Sequence, residues 1–389
     1  MTMSSSWCRP AGLVWVLLLA GCGSAPPSPA LPPPAPPSRA LPSSPEDACN
    51  AGDARACFDL GLRFEEGHGV GKDEARAAAL YGKACDGGNA TGCNNLGVLV
   101  EQGRGMDKDE ARAAALYGKA CNGGDASSCF NAGLLFEEGR GVSRDEARAA
   151  ALYAKGCDGG EARGCSNLGV LFQQGRGVGK DEARAAALYA KGCEAGEPMT
   201  CFNAGILFEQ GRGVVKDEAR AAALYTRACE GGHVKGCYDL GLLFSDGRGV
   251  AKDEARAVAL LTRACDGGEI ASCVHLGLRL EEGRGVGKDE ARAAAAYAKA
   301  CDGGDATGCI DLGLLVEDGR GVPKDEIRAA MLYIKACDMS VPAGCYNLGL
   351  LFEHRGGHKD KDKAAATAAF GRGCELGDEE SCAKVRKKK

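Results

Sequence analysis

Hydrophobic and polar positions recur with a period of 36 residues through most of the chain. In one representative unit, an apolar segment over roughly 126–138 is followed by a Gly-Arg-Gly turn at 139–141 and an Ala-rich segment from Asp145 to Asp158. The Ala-rich segment has high helix propensity, and Asp is a favourable N-cap. The glycines allow the positive φ of a helix C-cap. Each unit therefore predicts two helices, A and B, joined by a tight turn.

Nine full units lie between Cys57 and Cys382, with half-units at 46–53 and 379–389 on either side. A single helix pair of this size cannot bury its apolar face, so consecutive pairs must stack, and the half-units would cap the stack. We therefore expect an all-α fold. It is an α/α solenoid, or superhelix, of about nine 36-residue helix-turn-helix repeats that occupies residues 46–389.

Composition favours many small cores over one large core. Aromatic residues make up 5% of the 389 residues, and both Trp residues, Trp7 and Trp15, lie near the N-terminus. The formal net charge of −5 gives no electrostatic basis for binding nucleic acid. The sequence suggests no cofactor and no metal site, and we expect a monomer.

Cysteine is the most unusual part of the composition, with 22 residues. Apart from Cys8 and Cys22, all of them form Cys-x7-Cys pairs, each between helix B of one unit and helix A of the next. Neighbouring antiparallel helices can bring such Cα atoms within disulfide range, and an exported chain meets an oxidising compartment. Free thiols and zinc binding are the alternatives, although no unit brings four zinc ligands together. The expected disulfides are Cys49–Cys57, Cys85–Cys93, Cys121–Cys129, Cys157–Cys165, Cys193–Cys201, Cys229–Cys237, Cys265–Cys273, Cys301–Cys309, Cys337–Cys345 and Cys374–Cys382.

Residues 1–21 are typical of an export signal. Their apolar stretch, 11–20, is too short to span a bilayer. It ends in Leu-Ala-Gly-Cys at 19–22, which resembles the lipobox of bacterial lipoproteins. The resemblance implies that Cys22 becomes the lipidated first residue of the mature protein. An ordinary secretory signal is the alternative.

Residues 22–45 hold ten of the fourteen prolines, and this composition predicts an extended tether without a core. A Pro-rich ligand for a partner protein is the alternative. The lipoprotein resemblance implies attachment to a membrane of the bacterial cell envelope through the lipid. Gly23 after the lipidated Cys favours the outer membrane, with the solenoid facing the periplasm or the surface.

The repeat resembles the Sel-1-like repeat family and, more distantly, tetratricopeptide repeats, whose period is shorter. The motifs that carry the resemblance are Leu-Gly at 96–97, Gly-Arg-Gly at 103–105 and the second-helix segment 113–120. Leu261, where most other units have Tyr, and the altered turn at 354–358 depart from the pattern. The cysteine-rich subset of this family has Cys-x7-Cys bridges, so the resemblance implies the same pairing here.

Two positions in helix A form columns along the expected solenoid. In related solenoids the A helices line the concave face, where a row of Asn can hydrogen-bond the backbone of an extended peptide. Alternatively, each Asn binds a neighbouring helix and has a structural role. This amide column, two residues after the second Cys of each pair, is Asp59, Asn95, Asn131, Asn167, Asn203, Asp239, His275, Asp311 and Asn347. The variable column just before it, either a selective binding surface or a tolerant surface site, is Phe58, Asn94, Phe130, Ser166, Phe202, Tyr238, Val274, Ile310 and Tyr346.

Two features invite an enzymatic interpretation. Paired acidic residues such as Glu137 and Glu138 precede most turns, but adjacent helical side chains point about 100° apart, so we expect solvated helix ends. Ser381 and Lys384 match the Ser-x-x-Lys motif of serine β-lactamases, whereas Ser-Asp-Asn and Lys-Thr-Gly are absent. Some cysteine-rich Sel-1-like proteins are described as penicillin-binding or weakly β-lactam-hydrolysing, and that activity is the alternative function.

The sequence therefore predicts a non-catalytic scaffold or adaptor, anchored in the envelope, that binds a protein or an extended peptide through its concave face. A purely structural spacer in the envelope is a further alternative.

Overall fold

The computed structural model describes residues 44–355 and 360–387, and in these two ranges all regular secondary structure is helical. The helices are α1 (Pro45–Asn50), α2 (Ala54–Glu66), α3 (Glu74–Asp86), α4 (Ala90–Gln102), α5 (Glu110–Asn122), α6 (Ala126–Glu138), α7 (Glu146–Asp158), α8 (Ala162–Gln174), α9 (Glu182–Glu194), α10 (Pro198–Gln210), α11 (Glu218–Glu230), α12 (Val234–Asp246), α13 (Glu254–Asp266), α14 (Ile270–Glu282), α15 (Glu290–Asp302), α16 (Ala306–Asp318), α17 (Glu326–Asp338), α18 (Pro342–Arg355), α19 (Asp360–Glu375) and α20 (Glu379–Lys387).

The helices form nine consecutive pairs, as the 36-residue period predicts. The even-numbered helices α2 to α18 are the A helices, and the odd-numbered helices α3 to α19 are the B helices. The short helices α1 and α20 precede and follow the nine pairs, at the positions of the expected half-units. The expected signal peptide at 1–21, Cys22 and most of the tether lie outside the described residues. Among the described helices, none has the length and apolar character needed to cross a membrane.

The ends of the helices follow the local sequence. The Asp145 carboxylate accepts a hydrogen bond from the Arg148 backbone N–H at 2.9 Å and caps the start of α7. Gly139 adopts a left-handed conformation with φ 72° after α6, and its N–H donates to the Leu135 carbonyl. The boundaries of α6 and α7 agree with the predicted ones.

In seven of the nine helix pairs, a Tyr in the B helix packs against a Gly in the A helix, and Leu261 or Phe370 takes the place of the Tyr in the other two. In the third repeat, Tyr153 is fully buried and lies so close to Gly133 that a Cβ there would be 2.6 Å from the ring. Leu135, Ala149 and Ala150 complete this small core. The Leu-Gly motif therefore provides the space that the Tyr ring fills, and Ala allows the two helices to approach closely.

Neighbouring repeats also meet at the second Gly of the Gly-Arg-Gly turn. Gly141 has φ 67°, and a Cβ there would be 2.3 Å from the Ala111 backbone nitrogen in the preceding repeat. The turn therefore lies directly on the first turn of the preceding B helix. Both the backbone conformation and the space require Gly at this position.

Ten disulfides join each B helix, and the cap helix α1, to the helix that follows it. All ten expected pairs are present, with Cα atoms 4.5–4.8 Å apart. The cysteines are buried in the first nine pairs and half-buried in Cys374–Cys382. The described residues contain no cluster of His, Cys, Asp and Glu able to hold a metal ion. The structure thus confirms the pairing, and each repeat boundary is covalently closed.

Candidate binding surface

The A helices form a continuous face of the stack. Successive A helices contact each other, for example α6 with α8 and α14 with α16, whereas a groove lies between the B helices α5 and α7. In α6, the side chains that reach this face follow helical spacing at Asn131, Leu134 and Glu138. The amide column therefore lies on the face along which successive A helices contact each other.

The amide column is half-buried, except for Asp59, which is exposed, and several of its Asn residues hydrogen-bond the preceding repeat. The side chain of Asn95 hydrogen-bonds the Tyr81 hydroxyl, and Asn131 Nδ2 donates to Asn94 Oδ1 at 3.2 Å. These contacts correspond to the structural alternative for the column. An Asn side chain has two donor hydrogens and an acceptor oxygen, so one or two hydrogen bonds leave capacity for a ligand on the open side.

Two acidic members of the amide column titrate abnormally. Burial, with a smaller contribution from Glu209, raises the pKa of Asp239 to about 6. Burial, followed by the charge of Glu281, likewise raises the pKa of Asp311 to about 6. The intervening column residue, His275, has Nδ1 3.0 Å from the Ala271 carbonyl oxygen. Asp239 and Asp311 can therefore change their charge near neutral pH.

The variable column is partly internal: three of its nine members are buried and the other six are half-buried. Phe130, Phe202 and Ile310 are buried. The ring of Phe130 lies 5.8 Å from that of Tyr153, and the Arg163 guanidinium of the following repeat lies 4.5 Å from its centroid. Sequence variation at this position reflects packing between repeats, because these side chains fill the space between one A helix and the next.

A row of aliphatic side chains lies beside the amide column, and the sequence analysis missed it. Each of its members lies three residues after an amide-column residue, so the two columns share one face of the A helix. Leu278 and Leu314 are the most open members, with 38% and 41% of their surface exposed. The i, i+3 spacing was the available signal. The row consists of Leu62, Val98, Leu134, Val170, Ile206, Leu242, Leu278, Leu314 and Leu350.

The acidic pairs are more than solvated helix ends, because their two members differ. Glu138 is exposed, as expected, but Glu137 accepts a hydrogen bond from the Tyr153 hydroxyl at 2.6 Å. Arg176, in the turn of the next repeat, lies 3.0 Å from Glu137 and 2.8 Å from Glu146. Burial and the Glu137 hydrogen bond raise the pKa of Tyr153. The first acidic residue thus connects the Tyr of its own repeat to the Arg of the next.

This Tyr–Glu–Arg–Glu arrangement changes at the junction of the sixth and seventh repeats. Ser245 replaces the first Glu, Leu261 replaces Tyr, and Arg279 replaces a Leu that is buried in seven of the other eight repeats. The guanidinium of Arg279 is buried, donates to Ser245 Oγ and lies 3.3 Å from the Glu254 carboxylate. The three replacements therefore lie together at one site. The sequence analysis noted only one of them, Leu261.

The β-lactamase-like motif is not an accessible site. Ser381 is fully buried under Gly373, and its hydroxyl has no hydrogen-bond partner among the described residues. The Lys384 ammonium pairs with the Glu353 carboxylate and lies over the ring of Phe370. Neither side chain is placed to act on a substrate, because Ser381 is closed off from solvent and Lys384 is paired with Glu353.

The repeat matches a known family along nearly the whole solenoid. The family model described as Sel1 repeat matches residues 54–89, 90–125, 126–161, 162–197, 198–233, 234–269, 270–305, 306–341 and 342–378. The chain belongs to the Sel1 repeat family. Sel1 repeat proteins typically mediate protein–protein interactions. No curated protein matches this Sel1 repeat protein in sequence.

Solved structures of other repeat proteins are similar to this Sel1 repeat protein. A protective antigen present in uropathogenic Escherichia coli strains, which displays an SLR fold, is 25% identical to this chain and has a TM-score of 0.80. The match covers 88% of this chain and 73% of the antigen. A Sel1 repeat protein from Oxalobacter formigenes is 26% identical to this chain and has a TM-score of 0.61. The match covers 79% of this chain and 89% of the Oxalobacter formigenes protein. These likenesses support the solenoid fold.

Proposed function

We propose that this Sel1 repeat protein is a non-catalytic scaffold of the bacterial cell envelope. It binds an extended segment of a partner protein along the face formed by its A helices. The main support is the pairing of a half-buried polar column with a half-exposed aliphatic row on that face. The polar column offers hydrogen bonds to a peptide backbone, and the aliphatic row offers apolar contact to its side chains.

The arrangement suits an extended ligand because it is repeated along the stack. Each repeat contributes one polar and one aliphatic residue, so a peptide can make the same pair of contacts in several consecutive repeats. The outer face of the B helices differs, since its exposed positions carry only Ala or charged side chains in most repeats, such as Ala151 and Lys155. Small side chains of this kind offer little contact area for a hot spot of binding energy.

Binding is tested by charging the most open part of the aliphatic row. We expect Leu278→Asp with Leu314→Asp to reduce the recovery of partner proteins from envelope extracts by about tenfold or more, because a carboxylate would have to be desolvated against the ligand. Both positions are exposed enough for the charge to remain hydrated in the free protein. The matched control is Ala259→Asp with Ala295→Asp, at exposed positions of the B helices.

The readout is quantitative mass spectrometry of the captured proteins, with circular dichroism to show that each variant is folded. Loss of the same partners in both double variants, or in neither, would contradict binding at the A-helix face. A third variant, Asn131→Ala with Asn167→Ala, tests the polar column. A complete absence of specific partners would favour the structural spacer.

Attachment to the envelope is supported by two observations. Leu-Ala-Gly-Cys at 19–22 resembles a lipobox, and the ten disulfides suit an oxidising compartment. We expect Cys22→Ser to move the protein from the membrane fraction to the soluble fraction, whereas Cys8→Ser leaves it in the membrane fraction. Retention of the Cys22→Ser protein in the membrane would disprove anchoring through that residue.

A further inference from the structure

One B helix carries an apolar stripe that the other repeats lack. In α17, Ile327, Met331 and Ile334 have 66%, 65% and 42% of their surface exposed. Their spacing of four and three residues places them on one side of the helix, facing solvent. Large apolar side chains exposed in such a group mark an interaction surface more often than a chance feature.

The fold does not require these side chains. The first seven B helices carry Ala at the first two positions and Gly, Ala or Thr at the third, and they form the same helix pairs. The corresponding residues are Ala75, Ala111, Ala147, Ala183, Ala219, Ala255 and Ala291; then Ala79, Ala115, Ala151, Ala187, Ala223, Ala259 and Ala295; then Gly82, Gly118, Ala154, Ala190, Thr226, Thr262 and Ala298. The stripe therefore serves a purpose other than building the repeat.

Opposite charges lie at the two ends of the stripe. Lys324 precedes α17, and its ammonium is 3.7 Å from Glu326, while its side chain is 62% exposed. Asp338 ends the helix, is exposed and has no hydrogen bond or ion pair with the described residues. In four other repeats the equivalent carboxylate is paired with a Lys of the next repeat, as Asp158 is with Lys191 at 2.7 Å. The Asp338 carboxylate is thus free to pair with a second molecule.

We infer that the α17 stripe is a self-association surface on which a second copy of this chain packs through the same helix in antiparallel orientation. Met331 lies midway between Lys324 and Asp338, so a two-fold axis at Met331 brings each Lys324 opposite Asp338 of the second copy. The apolar side chains then cover each other. Such an arrangement is isologous, because one surface is complementary to itself.

The charge pattern favours this occupant over a lipid surface. Positive and negative side chains are balanced around the stripe, with Lys324, Arg328 and Lys335 against Asp325, Glu326 and Asp338. An anionic membrane would attract the first group and repel the second to a similar extent. One helix from each copy buries less than the roughly 800 Å² per partner of a standard interface, so the association is weak and depends on concentration.

Sedimentation velocity on the full-length protein tests the inference. We expect a monomer–dimer equilibrium with a dissociation constant below about 100 µM. The triple variant Ile327→Ala, Met331→Ala, Ile334→Ala installs the residue type of the other repeats, so it should fold normally and remain monomeric. The control is Val215→Ala, which removes an isolated apolar side chain that is 87% exposed and should leave the equilibrium unchanged.

Two further variants test the antiparallel geometry. Lys324→Asp should weaken dimerisation by about tenfold, and adding Asp338→Lys should restore it, because the pair is then reversed. Met331→Cys should form a disulfide-linked dimer on mild oxidation faster than Val215→Cys. A wild-type protein that is monomeric at about 100 µM, or a dimer that the triple variant leaves intact, would overturn the inference. Equal cross-linking of the two Cys variants would exclude the two-fold axis at Met331.

Discussion

At the scale of single residues, the amide column shows how one position can have the same structural role with different side chains. Asn95 and Asn131 are half-buried and uncharged, so their burial requires only that their hydrogen bonds be satisfied. Asp239 and Asp311 occupy equivalent positions with a carboxylate, and burial raises the pKa of each to about 6. The ionised forms of these two residues therefore destabilise the fold at neutral pH.

We expect Asp239→Asn with Asp311→Asn to increase the free energy of unfolding at pH 7 by on the order of 1–2 kcal/mol per site. In the unfolded chain these carboxyl groups titrate near pH 4, so between about pH 4 and 6 the folded state binds more protons than the unfolded state. The stability of the wild type should therefore fall as pH rises through this window. The variant should lose that part of the pH dependence, as measured by urea unfolding at several pH values.

The control for this prediction is Asp59→Asn. Asp59 occupies the same column in the first repeat but is exposed, so its replacement should change the free energy of unfolding little at any of these pH values. The charged groups that also act on Asp239 are Glu209, Glu269 and Lys235, and none of them changes in these variants. An equal effect of Asp59→Asn would show that burial is not the cause.

At the scale of helices and turns, the Gly-Arg-Gly turn determines how closely two repeats approach. Its second Gly has a positive φ and touches the preceding B helix, while its Arg binds two carboxylates of the preceding repeat. The turn therefore has a connecting role within its own repeat and a packing role against its neighbour.

We expect Gly141→Ala to destabilise the protein by about 2–3 kcal/mol, because the added Cβ has both an unfavourable φ and a close contact with Ala111. Gly179→Ala is the matched control. It lies just after the next Gly-Arg-Gly turn, lacks a positive φ and would meet nothing within 4 Å. Thermal unfolding of the two variants measures the difference, and a similar loss in both would contradict close approach at the turn.

The junction with Ser245, Leu261 and Arg279 provides a second test at this scale. Arg279→Leu alone should cost about 1–2 kcal/mol, because it leaves the buried Ser245 hydroxyl without its donor. Adding Ser245→Glu and Leu261→Tyr recreates the arrangement of the other repeats and should recover stability to within about 1 kcal/mol of the wild type. A triple variant that is less stable than the single variant would show that the three residues do not act as a unit.

At this scale there is a physical reason why some features could be predicted from the sequence and others could not. The helices, their caps and the disulfides could be predicted, because they depend on residues close together in the chain, such as Asp145 and Gly139. The burial of Phe130 and the contact of Glu137 with Arg176 could not, because both depend on the rotation between successive repeats. That rotation results from packing across a boundary and has no local signature.

At the scale of the whole molecule, stability depends on the contacts between neighbouring repeats. In a solenoid each repeat contacts only its neighbours, so the weakest boundary limits the stability of the stack. Here every boundary combines a disulfide with close packing at small residues, such as Gly92 against Ala84. On the chain-entropy model, closing so short a loop contributes about 2–3 kcal/mol. The covalent links compensate for helix pairs whose cores contain mainly Ala, Leu and a single Tyr.

A count of free thiols in the denatured, unreduced protein tests this account most directly. We predict that none of the twenty cysteines in the Cys-x7-Cys pairs reacts with a thiol reagent, so the total is at most two, from Cys8 and Cys22 in any unprocessed chain. Reduction before denaturation should raise the count by twenty and lower the unfolding temperature. A count near twenty without reduction would contradict the claim that covalent bonds close the repeat boundaries.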